Sequence, residues 1–227
     1  MNIASKYYKI KIKLSRIVQL VIYYVFQLPL WMFSYNTGGN VFKSKGRMYG
    51  CRVRMEGKNN TLIIAEQVLL FNVDILITGN NNKVSIDNRS IIYEKGRIRV
   101  EDEGNTVKIG KGVRIVDAFI SSADKNTVIE IGDESLISVN VVIRSSDAHS
   151  ILNSNGERVN MGENVFVGKH VWIGNGVTIL KGAHIGDNAV VGTQSLVSGK
   201  SFPSNSVIVG NPARVVKSGV SWNKERI

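Results

Sequence analysis

The chain has 227 residues, a formal charge of +11 at neutral pH and one cysteine, Cys51. That length supports one core with an appendage, and a lone cysteine excludes an intrachain disulfide framework and points to a reducing compartment. The charge is uneven: residues 1–58 hold eleven Lys/Arg against one acid, Glu56, and the rest of the chain is close to neutral.

The first element is an arm over 1–40. Lys6, Lys9, Lys11, Lys13 and Arg16 precede the uncharged IVQLVIYYVFQLPLWMF of 17–33, and Lys43, Lys45, Arg47, Arg52 and Arg54 follow it. The pattern predicts a helix that Pro29 ends or kinks, with Gly38 and Gly39 turning the chain into the next element. SYNTGG after the run offers no A-x-A cleavage site, which argues against a signal peptide. A bilayer span asks for about 20 apolar residues, and Gln19, Gln27 and Pro29 interrupt this run. Two readings stay open. The arm packs on a neighbouring subunit or the end of the main domain, or residues 1–35 lie in the plane of a membrane. In the second case Tyr23, Tyr24, Phe26, Trp31 and Phe33 sit at the interface and the cations meet anionic lipid.

The middle of the chain repeats. GKNNTLII, GNNNKVSI, GNTVKI and DKNTVIEI end at Ile64, Ile86, Ile109 and Ile131, spaced by 22, 23 and 22 residues. Within each unit apolar residues recur every six: Ile64, Leu70, Leu76; Ile86, Ile92, Ile98; Ile109, Ile115, then Ser121; Ile131, Ile137, Ile143. A period of six fits neither a helix nor one strand. It fits short strands joined by sharp corners, three to a triangular coil. The four or five extra residues per unit are rich in Asn, Gly, Asp and Lys, and predict one widened corner per coil, stacked along one edge. Phe42 and Met48, 22 residues before Ile64 and Leu70, start a ragged first coil near 41. A jelly roll is the alternative upstream of 105, but it predicts no 22-residue repeat.

The period breaks at RSSDAHSILNSNGERVN, 144–160, where His149 falls on the beat that should be aliphatic. A histidine buried in an apolar stack is costly unless hydrogen-bonded. The chain is therefore read as leaving the prism in a loop with His149 at its base, and loops on rigid scaffolds are where function concentrates. The clock resumes at Met161, Val167, Ile173, Ile179, Ile185, Val191 and Val197, then Val209 after a skipped beat at Pro203. Small or β-branched residues follow four later, at Val165, Val171, Val177, Ala183, Ala189, Ser195 and Ser201. The whole is an all-β parallel β-helix over 41–217, about seven to eight coils and roughly 35 Å tall, with a tail at 218–227.

The hexad block, the histidine in a loop before it, VWIGNGVTI and the closing GNPARVVK resemble the hexapeptide-repeat acyltransferases. The likeness is to the branch of galactoside and maltose O-acetyltransferases and the O-acetyltransferases of bacterial surface polysaccharides. It is strong over 131–217 and absent from 1–56. The resemblance implies a left-handed β-helix, a homotrimer, and acetyl-CoA in grooves between prisms. Handedness comes from the resemblance alone and departs from the usual right-handed crossover.

His149 stands where the family keeps its catalytic base, a role that suits an imidazole removing a sugar hydroxyl's proton. Asp147 either orients that ring or touches the acceptor, or it simply forms the turn. The Asn175 amide falls at the family's oxyanion position. Trp172, Gly174, Gly192, Thr193 and Ser198 match cofactor-binding positions, Thr193 where alanine is usual and Ser198 where threonine is. Arg214 and Lys217 match the two cations that meet CoA phosphates. His170 and His184 read as surface or interface residues, and no histidine has partners at metal-ligand spacing. Cys51 has no partner base, so transfer is direct.

The resulting expectation is a cytoplasmic, acetyl-CoA-dependent O-acetyltransferase, peripheral on the inner membrane face if the arm binds lipid. Its acceptor is a sugar hydroxyl of a surface polysaccharide or its precursor, anionic or lipid-linked. An N-acyltransferase acting on an amino-sugar nucleotide or amino acid, and a catalytically silent scaffold, are the competing readings. No nucleic acid partner is expected, because the basic arm belongs to no known binding module.

Overall fold

The computed structural model describes residues 38–93 and 95–225. The expected helical arm and its membrane contact lie outside the described residues. Gly38 and Gly39, at φ 83° and 77°, make the turn that leads into the first strand, Val41–Ser44.

From there the chain winds left-handed through about seven turns. Short strands form three sheets of eight, nine and seven strands; all but the last strand of the nine run parallel, each pairing with the one three places on. The first face holds Thr61–Ile64, Lys83–Ile86, Thr106–Ile109, Val128–Ile131 and Val165–Val167. Along it Ile64, Ile86, Ile109, Ile131, Val167, Ile185 and Phe202 lie opposite one another. The second face stacks Leu70, Ile92, Ile115, Ile137, Ile173, Val191 and Ile208. The third stacks Ile75, Ile98, Ile120, Ile143, Ile179 and Val197. These three columns are the core, and all but Phe202 at 7% are no more than 2% exposed. Coils about 4.8 Å apart leave no room for water between such residues.

Several beats fall one residue from where the repeat predicts them. Ile75 rather than Leu76, and Ile120 rather than Ser121, point inward, because the corner before each is one residue shorter than the hexad allows. Successive strand residues face opposite ways, so a one-residue change moves the inward role to the neighbour. The same shortening before Phe202 takes up the beat at Pro203, makes Ile208 rather than Val209 the core residue, and gives Ser206 the corner role expected of exposed Ser201. Met161 is 59% exposed and belongs to the loop rather than to the stack. In the first coil Phe42 pairs with Leu62 and Ser44 with Ile64, so that strand sits two residues from the 22-residue spacing, while Met48 does meet Leu70.

The widened corner forms one edge, as its composition predicts. Buried Asn60, Asn82 and Asn105 stack as a ladder in which each side-chain oxygen accepts the next coil's amide: Asn82 N to Asn60 Oδ1 at 2.9 Å, Asn105 N to Asn82 Oδ1 at 2.8 Å, Thr127 N to Asn105 Oδ1 at 2.7 Å. Each side-chain amide donates in turn to corner carbonyls, as Asn82 does to Thr78 and Asp102. Such satisfaction is what makes a buried amide affordable in an apolar stack. Among the described residues no buried side-chain polar atom lacks a partner.

The parallel winding ends in an antiparallel hairpin. Ser206–Gly210 turns through a cis Asn211–Pro212 bond into Ala213–Ser218, which pairs back along it. The hairpin covers the last edge of the second sheet, which would otherwise template further strands.

Candidate active site

His149 is exposed, in the loop that leaves the third face after Val141–Arg144 and rejoins the first at Val165. Ala148 beside it has φ 66°, a left-handed conformation that costs a residue with a Cβ about 1 kcal/mol or more. The Ser146 hydroxyl accepts the Ala148 amide at 3.1 Å and holds that conformation, and so the direction in which His149 leaves the prism.

Two ion pairs pin the loop to the edge between the third and first faces. Arg158 grips Asp124 with two parallel bonds, Nη1–Oδ1 at 2.7 Å and Nη2–Oδ2 at 2.8 Å, and both side chains are less than a quarter exposed. Lys181 donates to Asp147 at 2.5 Å. Asn160 ties the two ends of the loop together: its Nδ2 donates to Asp147 at 2.9 Å and to the His149 carbonyl at 2.7 Å, and its Oδ1 accepts the Ile151 amide at 2.7 Å. The Arg158 guanidinium holds the Asp124 carboxyl below the usual carboxylate range, and Lys181 and then Asn160 do the same for Asp147. The hydrogen bonds of Asp147 thus go to the loop frame. Beyond these anchors the loop exposes Ile151, Leu152, Val159 and Met161, each 57–59% accessible.

The other candidate residues lie elsewhere on the prism. Trp172, 41% exposed, projects from the second face. Asn175 stands at the corner beyond it, and its carbonyl accepts the Gln194 amide one coil on, next to Thr193. A β-carbon on Gly174 would come within 2.8 Å of the Thr193 nitrogen and 2.9 Å of the Val191 oxygen, so only glycine lets these corners stack. On Gly192 it would meet Val209 at 2.6 Å. Ser198 follows the third-face strand Leu196–Val197. Exposed Arg214 and Lys217 sit on the closing strand, opposite Val209 and Val207. Pairing then connects them: Trp172 opposes Val190, Val190 opposes Val207, and Val207 opposes Lys217. One outward column runs from the indole to the closing cations.

The tail, to which sequence assigns no role, folds back along the edge between the first and second faces. Val220 exchanges hydrogen bonds with Asn205. Half-buried Trp222 stacks on His170, with centroids 4.5 Å apart and planes 9° apart, and donates Nε1 to the His170 carbonyl at 2.7 Å. Its ring centroid is 5.9 Å from that of Trp172. Lys224 meets Glu134 at 3.3 Å. His170 also bonds Asn188 through Nδ1, and His184 packs edge-on to Phe166. A lone tryptophan in a polar tail is the signal that could have marked this strap; for the Arg158–Asp124 pair the sequence gives none. Cys51 is buried, and burial pushes its thiol up, away from the reactive thiolate.

Residues 164–199 match the family model described as bacterial transferase hexapeptide (six repeats). Among solved structures, the polysialic acid-specific acetyltransferase NeuO aligns at a TM-score of 0.75 with 29% identity, over 83% of this chain and 86% of that one. The polysialic acid O-acetyltransferase OatWY aligns at 0.75 with 28% identity, over 86% and 90%. A galactoside acetyltransferase in complex with coenzyme A aligns at 0.42 with 26% identity, over 57% and 62%. No curated protein matches the sequence.

Proposed function

We propose that this chain, a member of the hexapeptide-repeat acyltransferases, moves an acetyl group from acetyl-CoA to a sugar hydroxyl of an anionic surface polysaccharide. The column from Trp172 to Lys217 carries this reading. Three strand steps of about 4.8 Å span roughly 14 Å, a length suited to a pantetheine arm. Its apolar end is an indole and its far end holds Arg214 and Lys217, which supply charge-assisted bonds to phosphates. NeuO and OatWY, which superpose over most of the chain, make polysialic acid the first acceptor to test.

The chemistry follows from the residues. His149 takes the proton of the acceptor hydroxyl as its oxygen attacks the thioester carbonyl. The Asn175 amide N–H donates to the oxygen that becomes negative. The C–S bond then breaks, the sulfur leaves as the thiol after recovering the proton from His149, and the sugar ester remains.

His149 emerges at the edge between the third and first faces, opposite the second face that carries Trp172. One prism therefore presents base and cofactor column on different sides. A second copy supplies the missing side: the loop's exposed Ile151, Leu152, Val159 and Met161 dock on the neighbour's second face and bring His149 to its Trp172. This favours the homotrimer. Acetyl-CoA supply sets the reaction in the cytoplasm, and the basic, apolar stretch 6–33 provides for contact with anionic lipid on the inner membrane face.

The test is steady-state transfer from acetyl-CoA to polysialic acid. His149→Ala should lower kcat about 10²–10⁴-fold and leave the KM for acetyl-CoA within a few-fold. Mixing His149→Ala with an Asn175→Pro variant, which lacks the amide N–H, should restore part of the activity in mixed trimers. Loss of acetyl-CoA binding in His149→Ala without a separate rate effect would reassign the residue to the pocket wall, and no recovery on mixing would rule out a shared site.

A further inference from the structure

We infer that the third face is a binding track for the acidic groups of the acceptor glycan, leading up to the loop that bears His149. This rests on the reading above that the acceptor is an anionic glycan, and adds where that glycan is held. Strands Arg52–Met55, Asp74–Ile77, Arg97–Val100, Ala118–Ser122 and Val141–Arg144 lie side by side there. Two outward columns result. One runs Arg52, Asp74, Arg97, Phe119, Val142, and the other Arg54, Leu76, Arg99, Ser121, Arg144. Five arginines and one acid share these ten positions.

Among the described residues, ion pairs neutralise only the lower two. Arg52 meets Asp74 at 3.1 Å and Arg54 meets Glu56 at 2.5 Å. Among the described residues Arg97, Arg99 and Arg144 form no ion pair. Arg97 and Arg144 instead lie over the Phe119 ring, at 4.8 and 5.5 Å from its centroid. The ring orients both guanidiniums without cancelling their charge, which leaves their forked N–H donors open to a bidentate carboxylate. Arg99 and Arg144 are two strands apart, about 10 Å, so one small anion does not bridge them, whereas carboxylates repeated along a polymer do. The track ends where the chemistry begins, since Arg144 is the last strand residue before the loop. Acids stand at the adjoining edge, where Glu101, Asp102 and Asp124 line an open groove of about 420 Å³ next to Ala148, but Arg158 neutralises Asp124. Nucleic acid is the other polyanion. Among the described strand residues of this face Phe119 is the one aromatic, and two guanidiniums already lie over its ring, whereas binding of single strands rests on several rings free to stack bases.

The experiment uses the full chain as wild type, as the triple variant Arg97→Gln/Arg99→Gln/Arg144→Gln, and as the same triple to Lys. Binding of polysialic acid, hyaluronan, neutral dextran and single-stranded DNA of matched charge is titrated at several salt concentrations, without acetyl-CoA. The wild type should bind at least one acidic glycan and not dextran. The Gln variant should lose at least tenfold in affinity together with part of the salt dependence, and the Lys variant should recover part of both. The KM for acetyl-CoA should stay within twofold throughout, which reports an intact prism. No binding of either acidic glycan, unchanged affinity in the Gln variant, or DNA bound as tightly and lost in parallel would each overturn the track. Transfer kinetics separate this from the function: acetylation unaffected in the Gln variant sinks the track alone, and binding without acetylation of any glycan sinks the acceptor reading alone.

Discussion

Replacing Arg158 with Ala should loosen the loop that bears His149 without unfolding the prism. The change removes two bonds of 2.7 and 2.8 Å and leaves Asp124, whose side chain is 17% exposed, without its cation. An exposed pair contributes about 0–1 kcal/mol, and breaking a fully buried one costs about 3–5. At this burial about 1–3 kcal/mol is reasonable. Lys181 and Asn160 still hold the other strand of the loop, so the loss appears as local opening. At 1.4 kcal/mol per factor of ten, the open population rises about 5- to 150-fold. Amide exchange reads this directly. The Val159 and Ile151 amides, bonded to the Ile151 carbonyl and to Asn160, should exchange faster by that factor, while the Trp172 amide, bonded to Ala189 in the stack, should not change. Acid should imitate the substitution in the wild type. The carboxyls of Asp124 and Asp147 are depressed in the folded state, so their stabilisation is complete above the usual carboxylate range and is lost as pH falls through their folded values. Equal exchange at Val159 in variant and wild type would refute the assignment of Arg158 as the anchor.

Ile185→Asp should leave no soluble folded protein, because position 185 is 0% exposed in the middle of a column and an unpaired buried charge costs several kcal/mol; an active, soluble variant would refute the register. Arg214→Ala with Lys217→Ala should raise the KM for acetyl-CoA more than that for the 3′-dephospho thioester, and equal effects would place these cations elsewhere. Trp222→Ala should raise the KM for acetyl-CoA several-fold by freeing Trp172 and His170, with Trp222→Phe recovering most of the loss; equal KM values for all three proteins would show that the strap does not support the column.

What the sequence revealed and what it hid have physical causes. Most members of the three stacks, such as Ile64, Ile86, Leu70 and Ile92, were legible because one inward residue per face repeats at nearly constant spacing. Ile75, Ile120 and Ile208 were missed by one residue because corner length, which sets the phase, varies with turn geometry that the hexad pattern does not encode. The loop at His149 was legible as a break in that pattern. Its anchors were not, since Arg158 and Asp124 lie 34 residues apart and no periodicity relates them. The arginines of the third face each look like ordinary outward strand residues, and only the pairing register gathers them on one face and brings two of them to Phe119.

The strap has a bearing on how the molecule is made. Each coil rests on the one before it, so the stack can grow in the order in which ribosomes release it. The strap runs the other way: Val220 returns to Asn205, Trp222 to His170, and Lys224 to Glu134, 90 residues earlier. Residues 220–224 are thus laced down the outside of coils already laid, like a cord drawn through eyelets. A chain halted just after residue 218 would keep every strand of the prism and lack the cord.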